Sequence, residues 1–225
     1  LRLRMNAGQI TKEKLKFIAE SIEKHQVDKI HFTTCQTVQL HNLNAASVCE
    51  IMEAAVDVGI ITMGGGGDFP RNVTCSPLSG VEKGEYFDVL PWAEAAGAYL
   101  MNFIKAEKMP RKLKVGFSNS PANVTHATYR DLGFAARPDG CFDVYSAGGL
   151  GNNPRFGVKV ARQWRLKRFC IMSRPCADLP GLRQLRKPGQ GPQPLYAGDS
   201  GRTGGLCQGF REKLAEVEAP AKTWI

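Results

Sequence analysis

PRKLKV (residues 110–115) alternates charged and apolar side chains over a short stretch. A period of two is typical of a β-strand, in which side chains two positions apart share a face. The spacing predicts a strand near residues 113–118, with Leu113 and Val115 in a core and Lys112 and Lys114 together on the opposite face. Two ammonium groups held in this way would form a rigid anion clamp. The alternative is an exposed strand at a sheet edge, where solvated lysines oppose aggregation.

Two further motifs carry arginines. Arg2 lies in LRLR at the start of the chain, and Arg71 lies in DFPRNVTC, residues 68–75. A guanidinium group stays charged and offers a fork of donors, whereas a lysine ammonium is a compact charge that can lend a proton. The three motifs together therefore hold cations of both kinds, namely Arg2, Arg71, Lys112 and Lys114.

Residues 1–68 have the periodicity of a small unit of helices and strands. A helix is expected after Thr11, which is placed to cap it. Its predicted apolar face consists of Leu15, Ile18, Ala19 and Ile22. Residues 28–40 alternate as one strand, and a second helix is expected over residues 45–58. Strand, helix, strand, helix, strand is the order of a ferredoxin-like half-repeat. The glycines at 64–67 are expected to form the turn that leaves this half-repeat. A phosphate-binding loop is the less favoured alternative, because the spacing and the following Lys-Ser/Thr of such a loop are absent.

Residues 69–161 are predicted to form a second module. We expect a helix over residues 92–106 and strands near residues 113–118 and 141–147. The following Gly148-Gly149-Leu150-Gly151 would let the backbone approach a flat or anionic group closely. An ordinary glycine turn is the alternative.

The composition narrows the class of protein. With 225 residues and 43% hydrophobic content, the chain can bury one large core or two small ones. No run approaches the ~18 apolar residues of a membrane span, and the start shows no signal segment. The first residues read as the inside of a strand, which predicts that the chain is a piece of a longer protein. Seven scattered cysteines, an odd number, favour a reducing cytoplasm over a disulfide framework.

The formal net charge of +9 is concentrated in the tail. Residues 1–161 hold 18 Lys and Arg against 16 Asp and Glu, whereas residues 162–225 hold 12 against 5. The tail has little hydrophobic period, so we expect it to be poorly ordered. One functional hypothesis is therefore a non-catalytic basic protein that binds nucleic acid or acidic partners by counterion release.

The order of the motifs resembles the first catalytic half of the sulfite and nitrite reductases that use sirohaem and a [4Fe-4S] cluster. The motifs are LRLRMNAGQIT (1–11), TTCQTVQLHN (33–42), GGGGDFPRNVTCSPLSG (64–80), MPRKLKVGFS (109–118) and VYSAGGLGNNPRFG (144–157). The resemblance covers residues 1–161 almost continuously. It implies an α+β fold, with a ferredoxin-like half-repeat in residues 1–68 and part of the sirohaem and [4Fe-4S] reductase domain in residues 69–161.

The resemblance also implies roles for individual residues. The side chains around the anion at the sirohaem iron are Arg2, Arg71, Lys112 and Lys114. The residues along the carboxylate-rich rim of the sirohaem are Thr33, Thr34, Gln36, Gln39 and His41. The loop with Gly148 and Gly149 lies against the sirohaem. The implied reaction is the six-electron reduction of sulfite or nitrite, with ferredoxin or a flavoprotein as the electron donor and no role for membranes or nucleic acid.

The chain departs from the family's pattern in the rim segment. Some relatives carry arginines where this chain has His31 and Cys35, so the resemblance does not fix the number of cations that face the cofactor's carboxylates here. His41 has an alternative role as a half-buried strand histidine.

The tail departs further from the pattern. We predict that residues 162 to about 208 are translated out of register, because shifted reading frames can encode peptides that resemble the family there. The family's own register returns near Phe210. Cys170 and Cys176 have the Cys-x5-Cys spacing of half the cluster ligands, but the partner Cys-x3-Cys pair is absent and Cys207 stands alone. No metal ligands are therefore expected in this chain, and the cluster ligands are expected in a second half-repeat outside it.

Overall fold

The computed structural model describes residues 1–106, 112–151 and 154–164. In chain order the helices and strands are β1 (Arg2–Arg4), α1 (Lys12–Lys24), β2 (Ile30–Phe32), β3 (Thr37–Leu40), α2 (Ala45–Asp57), β4 (Thr74–Cys75), α3 (Leu90–Ala106), β5 (Val115–Ser118), β6 (Leu132–Ala136), β7 (Phe142–Ser146) and β8 (Val158–Trp164). Strands β1 to β3 form one sheet and strands β4 to β8 form another. This mixture of helix and sheet confirms the α+β prediction.

The first sheet has the strand order β1-β3-β2, with both pairs antiparallel. On the free side of β1, Arg4 forms an antiparallel bridge with Ile61, which follows α2. The chain therefore runs strand, helix, strand, strand, helix, strand, which is the ferredoxin-like connectivity. Strand β1 therefore has a backbone neighbour on each side, β3 on one and Ile61 on the other.

The single strand predicted over residues 28–40 is wrong, because the segment is a hairpin of β2 and β3. The Gln36 N–H donates to the Thr33 carbonyl oxygen at 2.9 Å, which closes a turn between the strands. The hydroxyl groups of Thr33 and Thr37 lie 2.6 Å apart across this turn, and Gln36 has a φ of 54°. Alternation continues on both sides of the turn, which is why periodicity alone did not reveal it.

Both helices of the first module begin at polar caps. The Thr11 hydroxyl accepts from the Lys14 N–H at 3.3 Å, and the Asn44 side-chain oxygen accepts from the Ser47 N–H at 2.8 Å. Such caps satisfy backbone donors that have no partner inside the helix. The residues buried between helices and sheet are Leu3, Met5, Ile18, Val38, Leu40, Ile51, Ala55 and Ile60.

The predicted face of α1 is partly wrong. Ile18 is buried and Ile22 is half-buried, but Leu15 and Ala19 are exposed. The buried stripe instead passes through Ser21, whose hydroxyl donates to the Phe17 carbonyl oxygen at 2.7 Å. A serine satisfied in this way can be buried, so the pattern of apolar residues misplaced the stripe.

The second sheet has the order β4-β5-β6-β7-β8. Its first three strands are parallel and its last two pairs are antiparallel. Three phenylalanines fill its core, with Phe117 stacked on Phe134 at 4.5 Å between ring centroids and Phe142 edge-on to both. Helix α3 begins at Leu90, two residues before its predicted start, and packs against this core.

The lysine-bearing segment is not at a sheet edge. Strand β5 begins at Val115, and it lies between β4 and β6. Leu113 is 3% exposed and bridges to Pro70, while Lys112 and Lys114 are half-buried. The predicted alternation is therefore confirmed, and the alternative of a solvated edge strand is wrong. Strands β4, β6 and β8 were not predicted, and β8 runs to Trp164, beyond the predicted end of the module at residue 161.

Candidate active site

The two arginines of β1 point away from the core of the first module. Leu3 and Met5 are fully buried in that core, so Arg2 and Arg4 lie on the opposite face of the sheet. Arg4 is only 4% exposed and donates to the carbonyl oxygens of Pro70 and Arg71, at 3.0 and 3.2 Å. Burial, reinforced by the nearby Arg71, lowers the pKa of Arg4 to about 10. Arg4 thus keeps its charge at neutral pH and ties β1 to the segment that carries Arg71.

The four-glycine turn folds over two of the predicted anion-binding arginines. Arg2 and Arg71 both donate to the carbonyl oxygen of Gly65, the latter at 2.5 Å, and Arg71 also donates to Gly67 at 2.8 Å. The turn therefore presents carbonyl oxygens to cations here, whereas a phosphate-binding loop presents N–H groups to an anion. The prediction that these glycines are not a phosphate loop agrees with this geometry. The glycine turn therefore holds the guanidinium groups of Arg2 and Arg71 side by side at the Gly65 carbonyl oxygen.

Gly65 also has to be small. A Cβ atom on Gly65 would lie 2.9 Å from Cδ of Arg2, whereas one on Gly66 would have no neighbour within 4 Å. We therefore expect Gly65→Ala to displace Arg2 and to lower the free energy of unfolding by about 1–3 kcal/mol. The matched variant Gly66→Ala should leave that free energy unchanged or raise it by up to about 1 kcal/mol. Urea denaturation of both variants checks this, and equal destabilisation by both would contradict it.

The two lysines join the arginines through backbone pairing. The Arg71 N–H donates to the Leu113 carbonyl oxygen at 2.8 Å, and Leu113 is the residue between Lys112 and Lys114. Since Arg71 shares the Gly65 carbonyl with Arg2, the structure brings together the three chain segments that carry the four predicted cations.

A buried carboxyl group lies among these cations. Oδ2 of Asp131 accepts from the backbone N–H of Lys114 at 2.7 Å, and the side chain interacts electrostatically with Lys114, Arg130 and Lys112. Burial raises the pKa of Asp131 to about 6, although the hydrogen bond and the cations act in the opposite direction. Its own carbonyl oxygen accepts from the Ala147 N–H at 3.0 Å. Asp131 thus connects the lysine segment to the base of the predicted glycine loop.

The predicted rim residues of the hairpin turn are held against the second module. The Gln36 amide donates to the Cys75 carbonyl oxygen at 2.7 Å and accepts from the Cys75 N–H at 2.8 Å. Asn72, 3% exposed, donates to the carbonyl oxygens of Cys35 and Gln36 at 2.9 and 3.1 Å. The Thr33 hydroxyl is used within the turn, and Thr34 is exposed. Gln36 therefore has a structural role in joining the modules. Of the three rim residues in the hairpin turn, Thr33, Thr34 and Gln36, only Thr34 is exposed.

Gln39 and His41 lie on the same sheet face as Arg2. Gln39 accepts from Arg2 at 3.2 Å and pairs across the hairpin with His31. The rings of His31 and His41 are 6.3 Å apart, and Nε2 of His41 is buried without a hydrogen-bond partner. Buried polar atoms are usually satisfied, so this nitrogen is suited to a group that the structure does not include.

Gly148 and Gly149 differ in their surroundings. A Cβ atom on Gly148 would lie 2.7 Å from the backbone of Tyr129, so this glycine is required by packing within the protein. Gly149 has open space where its side chain would be and pairs with Arg155. Only Gly149 of the two therefore leaves room for a ligand.

Four residues of this neighbourhood were missed from the sequence as site residues: Arg4, Asn72, Arg130 and Asp131. Arg4 could have been found, because it stands two positions after Arg2 on the same strand. The other three were identified only from tertiary contacts: Asn72 bonds to the hairpin turn of the first module, and Arg130 and Asp131 bond to other segments of the second module.

Comparison with known proteins gives the family. Residues 1–58 match the model described as the nitrite/sulfite reductase ferredoxin-like half domain, and residues 66–170 match the nitrite and sulphite reductase 4Fe-4S domain. The chain belongs to the nitrite and sulfite reductase family. This confirms the family and the ferredoxin-like unit predicted from the motifs, and it supports sirohaem and a [4Fe-4S] cluster as the family's cofactors.

Relatives of both reductase types are similar to this chain. It is 30% identical over 158 residues to a ferredoxin–nitrite reductase of Synechococcus elongatus, covering 65% of this chain and 30% of that protein. It is 30% identical over 151 residues to the NADPH sulfite reductase hemoprotein beta-component of Thiocapsa roseopersicina, covering 55% of this chain and 27% of that protein. The Mycobacterium tuberculosis NirA structure aligns with a TM-score of 0.70 and 26% identity, over 80% of this chain and 33% of that one. The chain thus spans about a third or less of the length of these proteins.

Two findings apply only to the part of the chain that the structure describes. It contains no helix long and apolar enough to cross a membrane, and no group of three or more His, Cys, Asp or Glu residues arranged to hold a metal ion. The cysteines at 170, 176 and 207 lie outside the described residues, and so do the basic tail and the stretch predicted to be out of register, apart from residues 162–164 at the end of β8. The nucleic-acid hypothesis, which rests on that tail, remains a prediction.

Proposed function

We propose that this chain forms the anion-binding and sirohaem-binding part of a sulfite or nitrite reductase. The observation that supports this most strongly is that hydrogen bonds join the three separate stretches of the sequence that carry Arg2, Arg71, and Lys112 with Lys114. In this proposal the six-electron reduction of the oxyanion requires the remainder of the protein, which supplies the cluster ligands. Ferredoxin or a flavoprotein delivers the electrons in this proposal; the names of the two relatives give ferredoxin for one and NADPH for the other.

The residues present fit a polyanionic cofactor. Arg2 and Arg4 donate to carbonyl oxygens rather than to carboxylates, so their charges are not neutralised by those partners. Uncompensated cations in a partly buried site favour anions more strongly than the same cations in water. The buried Nε2 of His41 has no hydrogen-bond partner, and Gly149 has open space where a side chain would be. Sirohaem, with its carboxylate rim, is a group of this kind.

Each cation has a distinct task in the proposal. Arg2 and Arg71 present guanidinium forks whose orientation is set by the Gly65 carbonyl, so they bind and align the oxyanion. Lys112 and Lys114 hold protons at Nζ and can transfer them as oxygen leaves as water. Asp131 lies beside both lysines and helps to fix their backbone. Sirohaem supplies the redox chemistry when it is bound.

A sirohaem titration of the purified chain tests the proposal. We expect saturable binding, followed by the change in the tetrapyrrole's visible absorption when sulfite or nitrite is added. A variant with Met in place of Arg2, Arg71, Lys112 and Lys114 should lose the response to the anion. The matched variant carries Met in place of four exposed lysines, Lys12, Lys16, Lys29 and Lys83. It should keep the wild-type response to the anion.

The two variants also separate the possible results. Equal anion responses in both would show that the four cations do not form the anion site. Sirohaem binding that is no tighter in the wild-type chain than in the fourfold site variant, with no response to either anion, would overturn the proposed function.

A further inference from the structure

A loop of the second module folds over the ends of two parallel strands, β4 and β5, which end side by side. At the start of the loop, the Ser76 N–H donates to the Phe117 carbonyl oxygen at 3.1 Å. At its end, the Tyr86 N–H donates to the Asn119 carbonyl oxygen at 2.9 Å. The 76–86 loop is therefore closed onto the carboxyl end of β5 at both of its ends. In open α/β sheets, the region outside the carboxyl ends of parallel strands is a common place for a ligand.

Buried oxygen atoms without a hydrogen-bond partner are concentrated in this region. In the part of the chain that the structure describes, the side-chain oxygens of this kind are Oγ of Ser76, Oε2 of Glu82, Oδ1 of Asn119 and Oγ of Ser120. Ser76 is 4%, Asn119 1% and Ser120 7% exposed. Buried polar atoms are usually satisfied, and leaving one without a partner is costly. Four such oxygens in one loop and the strand end beneath it indicate a bound group that completes them.

The orientation of the Asn119 amide is fixed by Glu85. Oε2 of Glu85 accepts from the Gly80 N–H at 3.0 Å and from Nδ2 of Asn119 at 2.7 Å. Because an ionised carboxylate has no hydrogen to donate, the amide nitrogen of Asn119 has to face Glu85, and Oδ1 is left as the free end of the amide. Oδ1 can only accept, and so can Oε2 of an ionised Glu82. The group that completes these oxygens therefore carries positive charge or donors, which excludes an anion.

The charge of the loop favours a cation. Residues 76–88 contain Glu82, Glu85 and Asp88 against one cation, the exposed Lys83. Oxygen atoms are the ligands that hard cations prefer. Ca²⁺ accepts about six to eight oxygens in a flexible geometry, including side-chain amide and backbone carbonyl oxygens and waters, whereas Mg²⁺ requires a near-ideal octahedron and usually keeps several waters. An irregular set of buried hydroxyl, amide and carboxylate oxygens therefore suits Ca²⁺ better than Mg²⁺.

We propose that the 76–86 loop and the end of β5 bind one Ca²⁺ ion through Ser76, Glu82, Asn119 and Ser120. The bound ion holds the loop onto the ends of β4 and β5 and stabilises the second module. Only one of the four side chains is a carboxylate, so the set differs from the clusters of His, Cys, Asp and Glu that are absent from the described residues. No sequence spacing pointed to this set, because its members come from two separate segments.

The proposed Ca²⁺ site is distinct from the proposed anion site. Lys114 precedes β5, whereas Asn119 follows it. Five residues of extended chain separate the two, which corresponds to roughly 16 Å. The inference therefore goes beyond the proposed function and does not rest on the binding of sirohaem.

Calorimetric titration of Ca²⁺ into the full 225-residue chain, freed of metal by a chelator, tests the inference. We expect about one ion to bind with a dissociation constant of about 0.1–1 mM, and Mg²⁺ to bind at least about tenfold more weakly. Glu82→Gln should weaken Ca²⁺ binding at least about tenfold, because the charge of the ligands sets the affinity. The matched control is Glu53→Gln, which removes an exposed carboxylate from α2 and should leave the dissociation constant unchanged.

A second variant and a second measurement separate binding from folding. Ser76→Ala should also weaken Ca²⁺ binding. Because the Ser76 hydroxyl has no hydrogen-bond partner in the protein, this variant should resist urea at least as well as the wild type when Ca²⁺ is absent. Ca²⁺ should raise the urea midpoint of the wild type and of Glu53→Gln, but not that of Glu82→Gln.

Each result decides for or against the site. Loss of Ca²⁺ binding in folded Glu82→Gln and its retention in Glu53→Gln support the inference. Absence of Ca²⁺ binding by the wild type, equal binding by Glu82→Gln and Glu53→Gln, or Mg²⁺ binding as tight as that of Ca²⁺ would overturn it. None of these results bears on the proposed function, since sirohaem and the oxyanion are absent from the experiment.

Discussion

Arg71→Met is expected to weaken the binding of sulfite or nitrite to the sirohaem-loaded chain about 100-fold, or about 2.7 kcal/mol. Arg71 is a donor whose direction is set before the anion arrives, since it is bonded to the carbonyl oxygens of Gly65 and Gly67. Removing one preorganised oxyanion-hole donor from an enzyme typically lowers kcat by a factor of about 10² to 10³, and we expect a loss at the lower end of that range for binding of the anion. The change in visible absorption on adding the anion gives the dissociation constant.

Two other variants show whether the loss of anion affinity comes from losing the two guanidinium donors of Arg71 or only from losing a positive charge. Arg71→Lys keeps the charge but loses the second bond to the glycine turn, so we expect an intermediate loss of about tenfold. Arg137→Met removes the same charge from the far part of the second sheet and should not change the dissociation constant. An Arg71→Met variant that is folded and binds the anion as tightly as Arg137→Met would contradict the role of Arg71.

Asp131→Asn is expected to stabilise the protein at neutral pH. The pKa of Asp131 is raised from 3.8 to about 6 by burial, so the folded state holds a proton that the unfolded state releases. Between about pH 4 and pH 6 the free energy of unfolding therefore falls as the pH rises, and above pH 6 the full cost of the buried charge is present. A shift of this size corresponds to about 3 kcal/mol. Asparagine removes the charge and keeps an oxygen that can accept from the Lys114 N–H.

Urea denaturation at two pH values checks this prediction. At pH 7.5 we expect Asp131→Asn to raise the free energy of unfolding by about 2–3 kcal/mol, and at pH 4 we expect the variant and the wild type to differ little. Asp57→Asn, at the exposed end of α2, is the matched control and should have no comparable effect at pH 7.5. A stabilisation of Asp131→Asn that is the same at both pH values, or absent at pH 7.5, would show that the buried charge is not costly.

The sequence predicted those parts of the fold that depend on local patterns. The cap of α1 at Thr11, the extent of α2, and the alternation of Leu113 and Val115 all follow from spacing within a few residues. The hairpin turn at Thr33–Gln36 was missed because strand alternation continues across it. Strands β4 and β6 were missed because they are short and buried, and their place in the sheet is set by partners far away in the chain.

In the candidate site, too, local patterns identified some residues, while contacts between distant parts of the chain determine the others. Motifs identified the four cations, but they could not show that the glycine turn at 64–67 orients two of them through its carbonyl oxygens. They also did not indicate that Gln36 joins the modules or that Gly148 is required by packing on Tyr129. Asp131 accepts from the N–H of Lys114, 17 positions away, and Arg130 accepts from the N–H of Gly148 in a later loop, so no local pattern could assign these two residues.

The account depends on Arg2, Arg71, Lys112 and Lys114 forming one anion site, and a crystal of the chain soaked in selenate tests this most directly. Selenate is a tetrahedral oxyanion whose selenium can be located by its anomalous scattering. We predict an anomalous peak whose oxygens lie within hydrogen-bonding distance of Arg71 and of at least one of the other three side chains. Selenium found only at other surfaces of the protein, or at none, would contradict the account.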